Sequence, residues 1–505
     1  MTNPVLLCLD SGTTAVKACA FDAAGGMLAT AERQNGALRR NGDRVEQDME
    51  MSRNDAFAVL NECAAKLEGS HVAAIIVTGQ GDGLWPVDAD HKPVGHAFTW
   101  LDGRCRTLVA ELEDQGVLDE VRQLTGSRPT AASQSLQLLW LWNNDAARFA
   151  RIRHALRLKE WLFLSLTGKL AAEPGVVLPV WGDWRTGKPV PEVAKAIGLP
   201  RAMVLLPELL PVGECQASLL AGPAAAIGVA RDIPVYLGPG DVQATLIGLG
   251  LGSRPGVTRA SIFGTSAIHA CHIRDQHAVP CEPPGAMVQQ FALGEGYLCF
   301  HPSFNGANTL KHLSQLTGAT TWNGRPRYSN LILHPFLEPG GERAPVTSPF
   351  ATGAAFGLKA STDPLDIAWA GREALAFVAR KSHDMMKAPE GALSLGGGLA
   401  ADAAFCGFLA TLLKSEVQRS SASHAGLKGL GAIAAKFLFG ASPSELGNWI
   451  GEPDERIAPA TGNVSAYAEE KYDLFCRLLD VVSPHWQQLS SLTRTANNLL
   501  EEDVT

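Results

Sequence analysis

Two short polar turns bounded by apolar runs, Asp10-Ser11-Gly12-Thr13-Thr14 and Gly264-Thr265-Ser266, have the composition to hold phosphate oxygens. Backbone N–H groups and hydroxyls in such turns donate hydrogen bonds without carrying a fixed charge. In the first turn Gly12 lets the backbone approach an oxygen closely, Thr13 and Thr14 supply donors, and Asp10 could hold a hydrated Mg2+. Lys17, three residues beyond Thr14, adds positive charge. Either turn alone reads as an ordinary hairpin tip, because Asp, Ser, Gly and Thr are common turn residues. Two of them, half a chain apart, read as a pair gripping the phosphates of a nucleotide.

Asp241, after Gly238-Pro239-Gly240, is the candidate base. An alcohol is a weak nucleophile, and a carboxylate at hydrogen-bond distance can take its proton as attack proceeds. Gly-Asp before an apolar helical run is also a good helix-capping signal, so a purely structural role stays open at this point. Of two commoner phosphate devices, one is excluded by pattern and the other is a poor match. No Gly-x-x-x-x-Gly-Lys-Ser/Thr loop occurs, since Gly168-Lys169 runs into Leu170 and Gly187-Lys188 into Pro189. The run from Gly238 reaches Gln243 where a dinucleotide fingerprint wants its third glycine.

The elements that must position these residues follow an α/β order. Residues 5–9 and 15–21 read as two strands around the first turn, and residues 258–263 and 267–273 as two strands around the second. Ser52 with Asp55 resembles a capping box for a helix carrying Ala56, Val59, Leu60, Cys63, Ala64 and Leu67, which feeds an apolar strand at 72–77. In the second half a helix at about 366–379 precedes an apolar run at 392–395, then Gly396-Gly397-Gly398 and another helix. Gly, Ser and Pro cluster at 250–256, the expected join between two halves. A helical stretch from about 464 to 502 is expected to pack on its own domain, and a homodimer contact through it is the second expectation.

With 505 residues, 46% hydrophobic and 19% charged, the chain can bury two cores and is too poor in charge for disorder. A net charge of -8 without a basic run argues against nucleic acid as a partner. Ten cysteines without a Cys-x-x-Cys pair read as reduced thiols of a cytoplasmic protein; neither a signal peptide nor a membrane span is expected. His272, His301 and His334 lack ligand spacing, so no structural metal is expected.

The ordered set of motifs resembles the FGGY carbohydrate kinases, a branch of the actin, hexokinase and Hsp70 superfamily. Beyond the two turns and Gly238-Pro239-Gly240-Asp241, it comprises Thr78-Gly79-Gln80-Gly81-Asp82-Gly83, Trp100-Leu101-Asp102-Gly103-Arg104, Pro335-Phe336-Leu337 and Gly341-Glu342-Arg343-Ala344-Pro345. Phe356-Gly357-Leu358, Gly396-Gly397-Gly398 and Gly429-Leu430-Gly431-Ala432 complete it. The resemblance implies two ribonuclease-H-like α/β domains, 1–252 binding the sugar or polyol and 253–505 binding ATP, with an inter-domain catalytic cleft. It implies Asp241 as base, Asp10 near the metal, and ATP held by Gly12, Thr13, Thr14, Lys17, Gly264, Thr265, Ser266, Gly396, Gly397 and Gly398. Gln80, Gly81, Asp82, Trp100 and Asp102 are the implied acceptor residues, although Asp102 and Arg104 also read as a structural ion pair. Trp85 and Trp181 read as core.

The chain departs from the family in places. Ala400-Ala401 and Phe405 stand where the family usually has a serine and a tryptophan, and Gln137 replaces a lysine on a segment read as a core-facing helix. Asp82 lies where xylulokinases carry His and glycerol kinases Glu, and Gly81 replaces the arginine beside that Glu. These residues, with Gly182-Asp183-Trp184-Arg185-Thr186, look most like the erythritol kinase and L-xylulose kinase side of the family. The expectation is transfer of the γ-phosphoryl of MgATP to a terminal hydroxyl of a small polyol or ketose. The alternatives are a glycerol- or ribulose-type kinase, an ATPase without acceptor, and a sugar or nucleotide sensor without turnover.

Overall fold

The computed structural model describes residues 4–67, 71–280, 286–318, 322–338, 341–420 and 424–502. The first half opens with β1 (Pro4–Ser11), β2 (Ala15–Phe21) and β3 (Met27–Gln34), an antiparallel meander. Val5 to Leu9 are buried on both faces, which is why this strand reads as an unbroken apolar run rather than an alternation. Helix α1 (Met49–Ala64) then leads into β4 (His71–Gly79), which lies parallel to β1. The cap of α1 is Asp48, whose side chain accepts from Met51 N. Ser52, expected as the cap, lies inside the first turn and donates its hydroxyl to Asp48 O at 2.9 Å.

Helices α2 (Leu158–Thr167) and α3 (Pro174–Trp181) follow, then β5 (Gln216–Ser218), β6 (Pro234–Leu237) and α4 (Asp241–Gly248). The six strands run in the order β5-β6-β4-β1-β2-β3, with β6 parallel to β4 and β5 an antiparallel edge.

The second half repeats the scheme. β7 (Val257–Phe263), β8 (Ala267–Ile273), β9 (Met287–Gln290) and β10 (Tyr297–Ser303) form the meander. α5 (Ala307–Thr317) and α6 (Pro364–Met385) precede β11 (Ala392–Gly396), parallel to β7. After α7 (Ala403–Leu413) come β12 (Val417–Arg419), α8 (Ala425–Phe439) and the edge strand β13 (Glu455–Ile457). The order β9-β10-β8-β7-β11-β12-β13 is that of the first sheet with one strand added outside the meander. The predicted 464–502 helix is α9 (Asn463–Val482) and α10 (Trp486–Glu502), separated by a 3-10 turn at Ser483–His485 around Pro484.

The division at residue 252 is not a clean division in space. Leu427, Leu430 and Ile433 of α8 pack with Leu6 and Cys8 of β1 and Ile76 of β4, in a cluster that also holds Ala260, Ala270 and Phe300 of the second sheet. Helices α4 and α8 therefore form a buried seam between the two sheets. No helix among the described residues is long and apolar enough to cross a membrane. The described cysteines are all unpaired.

Candidate active site

Asp241 stands at the junction of β6 and α4. The turn before it is pinned by Thr78 Oγ1, which donates to Pro239 O at 2.6 Å. Gly240 takes the cap position, so Asp241 lies one residue inside the helix, where Oδ1 accepts its neighbour's N–H, Val242 N, at 2.8 Å. A β-carbon on Gly240 would come within 3.1 Å of Val176 Cγ1, and one on Gly81 within 3.3 Å of the same atom. The two glycines thus face one another over α3 and keep the floor beside Asp241 open.

Three carboxylates converge here from different strands and turns. Burial pushes Asp241 up to about 7, helped by the charges of Asp10 and then Asp82 and opposed by the Val242 N–H. Burial likewise pushes Asp10 up to about 6, opposed by Lys17, its cross-strand partner on β2. Asp82 is raised by burial and held back by two guanidiniums, Arg157 and Arg343. Asp10 Oδ1 is buried without a hydrogen-bond partner, and a β-carbon on Gly426, at the start of α8, would sit 3.2 Å from its Oδ2. Among the described residues no group of three or more His, Cys, Asp or Glu is arranged to hold a metal by itself. An orphaned carboxylate at the strand end leading into the first polar turn suits Mg2+, which usually keeps several waters and takes one or two carboxylates plus substrate phosphates.

Both predicted turns are hairpin tips. In the first, Gly12 N donates to Ala15 O at 3.0 Å, Asn35 Nδ2 donates to Gly12 O at 2.9 Å, and Thr14 is exposed. Lys17 is half-buried beside Glu32 at 3.4 Å. The second tip is buttressed by the start of α5: Ala307 N donates to Gly264 O at 2.8 Å, and a β-carbon on Gly306 would fall 2.4 Å from the Ser266 carbonyl carbon. Thr265 and Ser266 remain exposed.

The triple glycine closes the same wall. Gly397 has φ +86°, and a β-carbon there would meet Phe263 O at 2.4 Å, so the backbone lies directly against the end of β7. Gly397 and Gly398 are exposed, and a β-carbon on Gly398 would meet nothing within 4 Å. Phe405, the departure from the family's tryptophan, is fully buried, its ring 5.1 Å from Phe263. It is a core residue here.

On the acceptor side Gln80 is buried and its Nε2 donates to Gln47 Oε1 at 3.2 Å. Trp100 is half-buried and its indole N–H donates to Thr13 Oγ1 at 2.8 Å, tying this ring to the first hairpin. Asp102 does not belong to the acceptor surface. It is buried, with Oδ1 accepting from Arg104 Nε at 2.8 Å and Oδ2 from Val45 N at 2.9 Å, so its oxygens are spent on holding the chain. Trp85 and Trp181 are fully buried core. Gln137 is buried on its helix, donating to Thr99 O at 3.0 Å.

Sequence reasoning gave no role to Arg157 or Arg343, the two guanidiniums acting on Asp82. Arg343 lay in a motif already noted, Gly-Glu-Arg-Ala-Pro, whereas Arg157 lies in an unremarkable apolar stretch.

The model of the FGGY family of carbohydrate kinases, N-terminal domain, matches residues 5–248, and that of the C-terminal domain matches residues 259–437. An erythritol kinase from Brucella abortus is 27% identical over 96% of this chain and 98% of its own length. The fold of a ligand-bound xylulose kinase from Lactobacillus acidophilus superposes with a TM-score of 0.85 at 19% identity, covering 96% of this chain and 100% of the other. A Plasmodium falciparum glycerol kinase with ADP gives 0.79 at 16% identity, covering 95% and 98%.

Proposed function

The chain belongs to the FGGY family of carbohydrate kinases, ATP-dependent phosphotransferases, and from that premise we propose that it phosphorylates a terminal hydroxyl of a small polyol or ketose, erythritol- or xylulose-like, with Asp241 as general base. The observation that carries the base assignment is the meeting of Asp241 with Asp10 and Asp82 beneath two glycines. Its carboxyl titrates near neutrality there, where a base both is ionised and retains the affinity to accept a proton. The likeness to an erythritol kinase along nearly the whole chain supports the choice of acceptor class.

In this reading residues 1–252 bind the acceptor and 253–505 bind ATP. The two hairpin tips, with Gly12, Thr13, Thr14, Gly264, Thr265 and Ser266, donate to the phosphates; Lys17 adds charge from β2; Gly396, Gly397 and Gly398 let the adenosine lie against backbone. Asp10 is the residue that would hold a hydrated Mg2+, which when bound would supply positive charge to the transferring group. Gln80 and Asp82 orient the acceptor over Gly81, with Trp100 alongside. Asp241 then takes the proton of the attacking hydroxyl as its oxygen bonds to the γ-phosphorus. The bond from that phosphorus to the bridging β-γ oxygen breaks, and ADP leaves with the electron pair.

Coupled ADP release with MgATP, against erythritol, other tetritols and pentitols, glycerol, the xyluloses, ribulose and hexoses, tests the reading. One strong acceptor is expected, with Asp241→Asn slowing its turnover by about 10^2-fold or more while ATP still raises the melting temperature. Wild-type rates in Asp241→Asn would remove Asp241 from the base role.

A further inference from the structure

Arg343 combines partial exposure with a guanidinium that has no hydrogen-bond or ion-pair partner among the described residues, unlike several other buried or half-buried arginines of the chain. Arg104 is paired with Asp102 and Glu46, and Arg372 with Asp402. Arg157 also makes no guanidinium hydrogen bond among the described residues, but it is 1% exposed and 4.0 Å from Glu160, out of reach of solvent. Among the described residues the guanidinium of Arg343 makes no hydrogen bond and no ion pair, yet the residue is partly accessible. A guanidinium carries five donors in a fixed fork, and one left unfilled at a cleft is a recognition group in waiting.

Its position is also set with unusual care. The preceding residue, Glu342, accepts four hydrogen bonds: from Ser303 Oγ at 2.6 Å, Asn305 Nδ2 at 2.9 Å, Phe304 N at 2.9 Å and Arg343 N at 2.7 Å. Glu342 N and Ser348 N each donate to the other's carbonyl, at 2.8 and 2.9 Å, closing the loop. The Arg343 guanidinium lies 4.2 Å over the ring of Phe304, which fixes its plane. From there it is in electrostatic reach of Asp82, which comes from the other half of the chain. A half that binds nucleotide thus presents a fixed, unfilled donor to the acceptor-binding carboxylate.

We infer that Arg343 is an acceptor-binding residue supplied by the nucleotide half, donating to a hydroxyl of the same polyol or ketose whose neighbouring hydroxyl donates to Asp82. This rests on the carbohydrate kinase reading and deepens it. Asp82 accepts and Arg343 donates, so the pair selects a neutral molecule with two adjacent hydroxyls. Because the two groups lie on different halves, an acceptor that satisfies both ties the halves together, while water satisfies each separately and does not.

The test is steady-state kinetics of the full-length enzyme with MgATP and either erythritol or D-xylulose. For Arg343→Met, the acceptor KM is expected to rise about 10- to 100-fold, the loss of a charge-assisted hydrogen bond, with the KM for ATP changed less than about 2-fold. Arg343→Lys should recover part of the loss, and millimolar guanidinium ion should partly restore Arg343→Ala, which a purely structural residue would not allow. An unchanged acceptor KM, or a rise confined to the KM for ATP, overturns the inference. Should Arg343→Met fail to fold, Arg343→Lys is read by the same split, and wild-type constants in it with no response of Arg343→Ala to guanidinium count against the inference. A wild-type enzyme inactive with both acceptors while binding ATP removes the kinase-acceptor reading itself; an active wild type beside an indifferent Arg343→Met removes only this inference.

Discussion

A carboxylate can serve as base only when ionised, so the upward displacement of Asp241 to about 7 has a kinetic consequence with a definite sign. The kcat/KM for the acceptor should rise with pH through about 7 and level off above it, and that limb should vanish in the residual activity of Asp241→Asn. The same displacement bears on stability in the opposite sense. Between about pH 4 and 7 the folded chain keeps protons on Asp241 and Asp10 that the unfolded chain has released, so stability falls as pH rises through that window. Asp241→Asn removes one of three crowded negative charges. At pH 8, without ligands, it should melt about 1–3 °C above wild type, and the advantage should fade towards pH 4.5, where the wild-type carboxyls are protonated; calorimetry at the two pH values checks this. At this scale much of the site was legible. Asp10, Asp82, Asp241 and the glycines could be read because their types are unusual beside apolar strands. Arg157 and Arg343 were not given roles because an arginine in sequence does not reveal whether its charge is spent, as Arg104's is on Asp102, or left without a hydrogen bond or ion pair among the described residues, as Arg343's is.

At the scale of elements, Asp241 is only as well placed as α4, and α4 is set by its crossing with α8. A β-carbon on Gly248 would fall 1.8 Å from Ala425 O, and one on Gly429 1.9 Å from Ala244 O. Backbone meets backbone at this crossing, and no rotamer change can relieve an added methyl. Gly429→Ala should therefore destabilise the protein by about 1–3 kcal/mol and lower kcat by shifting the start of α4. Gly407→Ala on α7, where a β-carbon meets nothing within 4 Å, should leave kcat unchanged and raise stability slightly through helix propensity. Chemical denaturation beside turnover rates separates the two. The strands were readable almost to the residue because apolar runs ending in Gly and Thr turns carry their own boundaries: 15–21 and 267–273 are the observed β2 and β8. The α1 cap was misplaced by four positions because Asp48 and Ser52 are both good capping residues, and the choice is made by where the chain leaves the preceding strand. The crossing itself left only Gly429-Leu430-Gly431 as a trace, since contact between segments nearly 180 residues apart has no local signature.

For the whole molecule, two sheets of closely related topology each carry one of the polar hairpins, and they are joined by the cluster in which α8 packs on β1 and β4. That seam has a mechanical meaning. Helices whose backbones touch can slide or pivot only as a pair, so motion of one sheet relative to the other should preserve the seam and act away from it, on the side of Asp82 and Arg343, each of which feels the other's charge. The sequence halves at 1–252 and 253–505, proposed to bind acceptor and ATP, are accordingly not independent bodies, because α8 lies late in the chain and packs over the first sheet. Closure should then depend on both ligands. In Asp241→Asn, expected to turn over ATP and acceptor about 10^2-fold more slowly, small-angle scattering should give a smaller radius of gyration with MgATP and erythritol together than with either alone. The same measurement in Asp241→Asn combined with Arg343→Met should lose most of that contraction even at saturating acceptor, because Asp82 alone holds the polyol to one half. A contraction produced in full by MgATP alone would place the closing force at the phosphate hairpins and not at the acceptor.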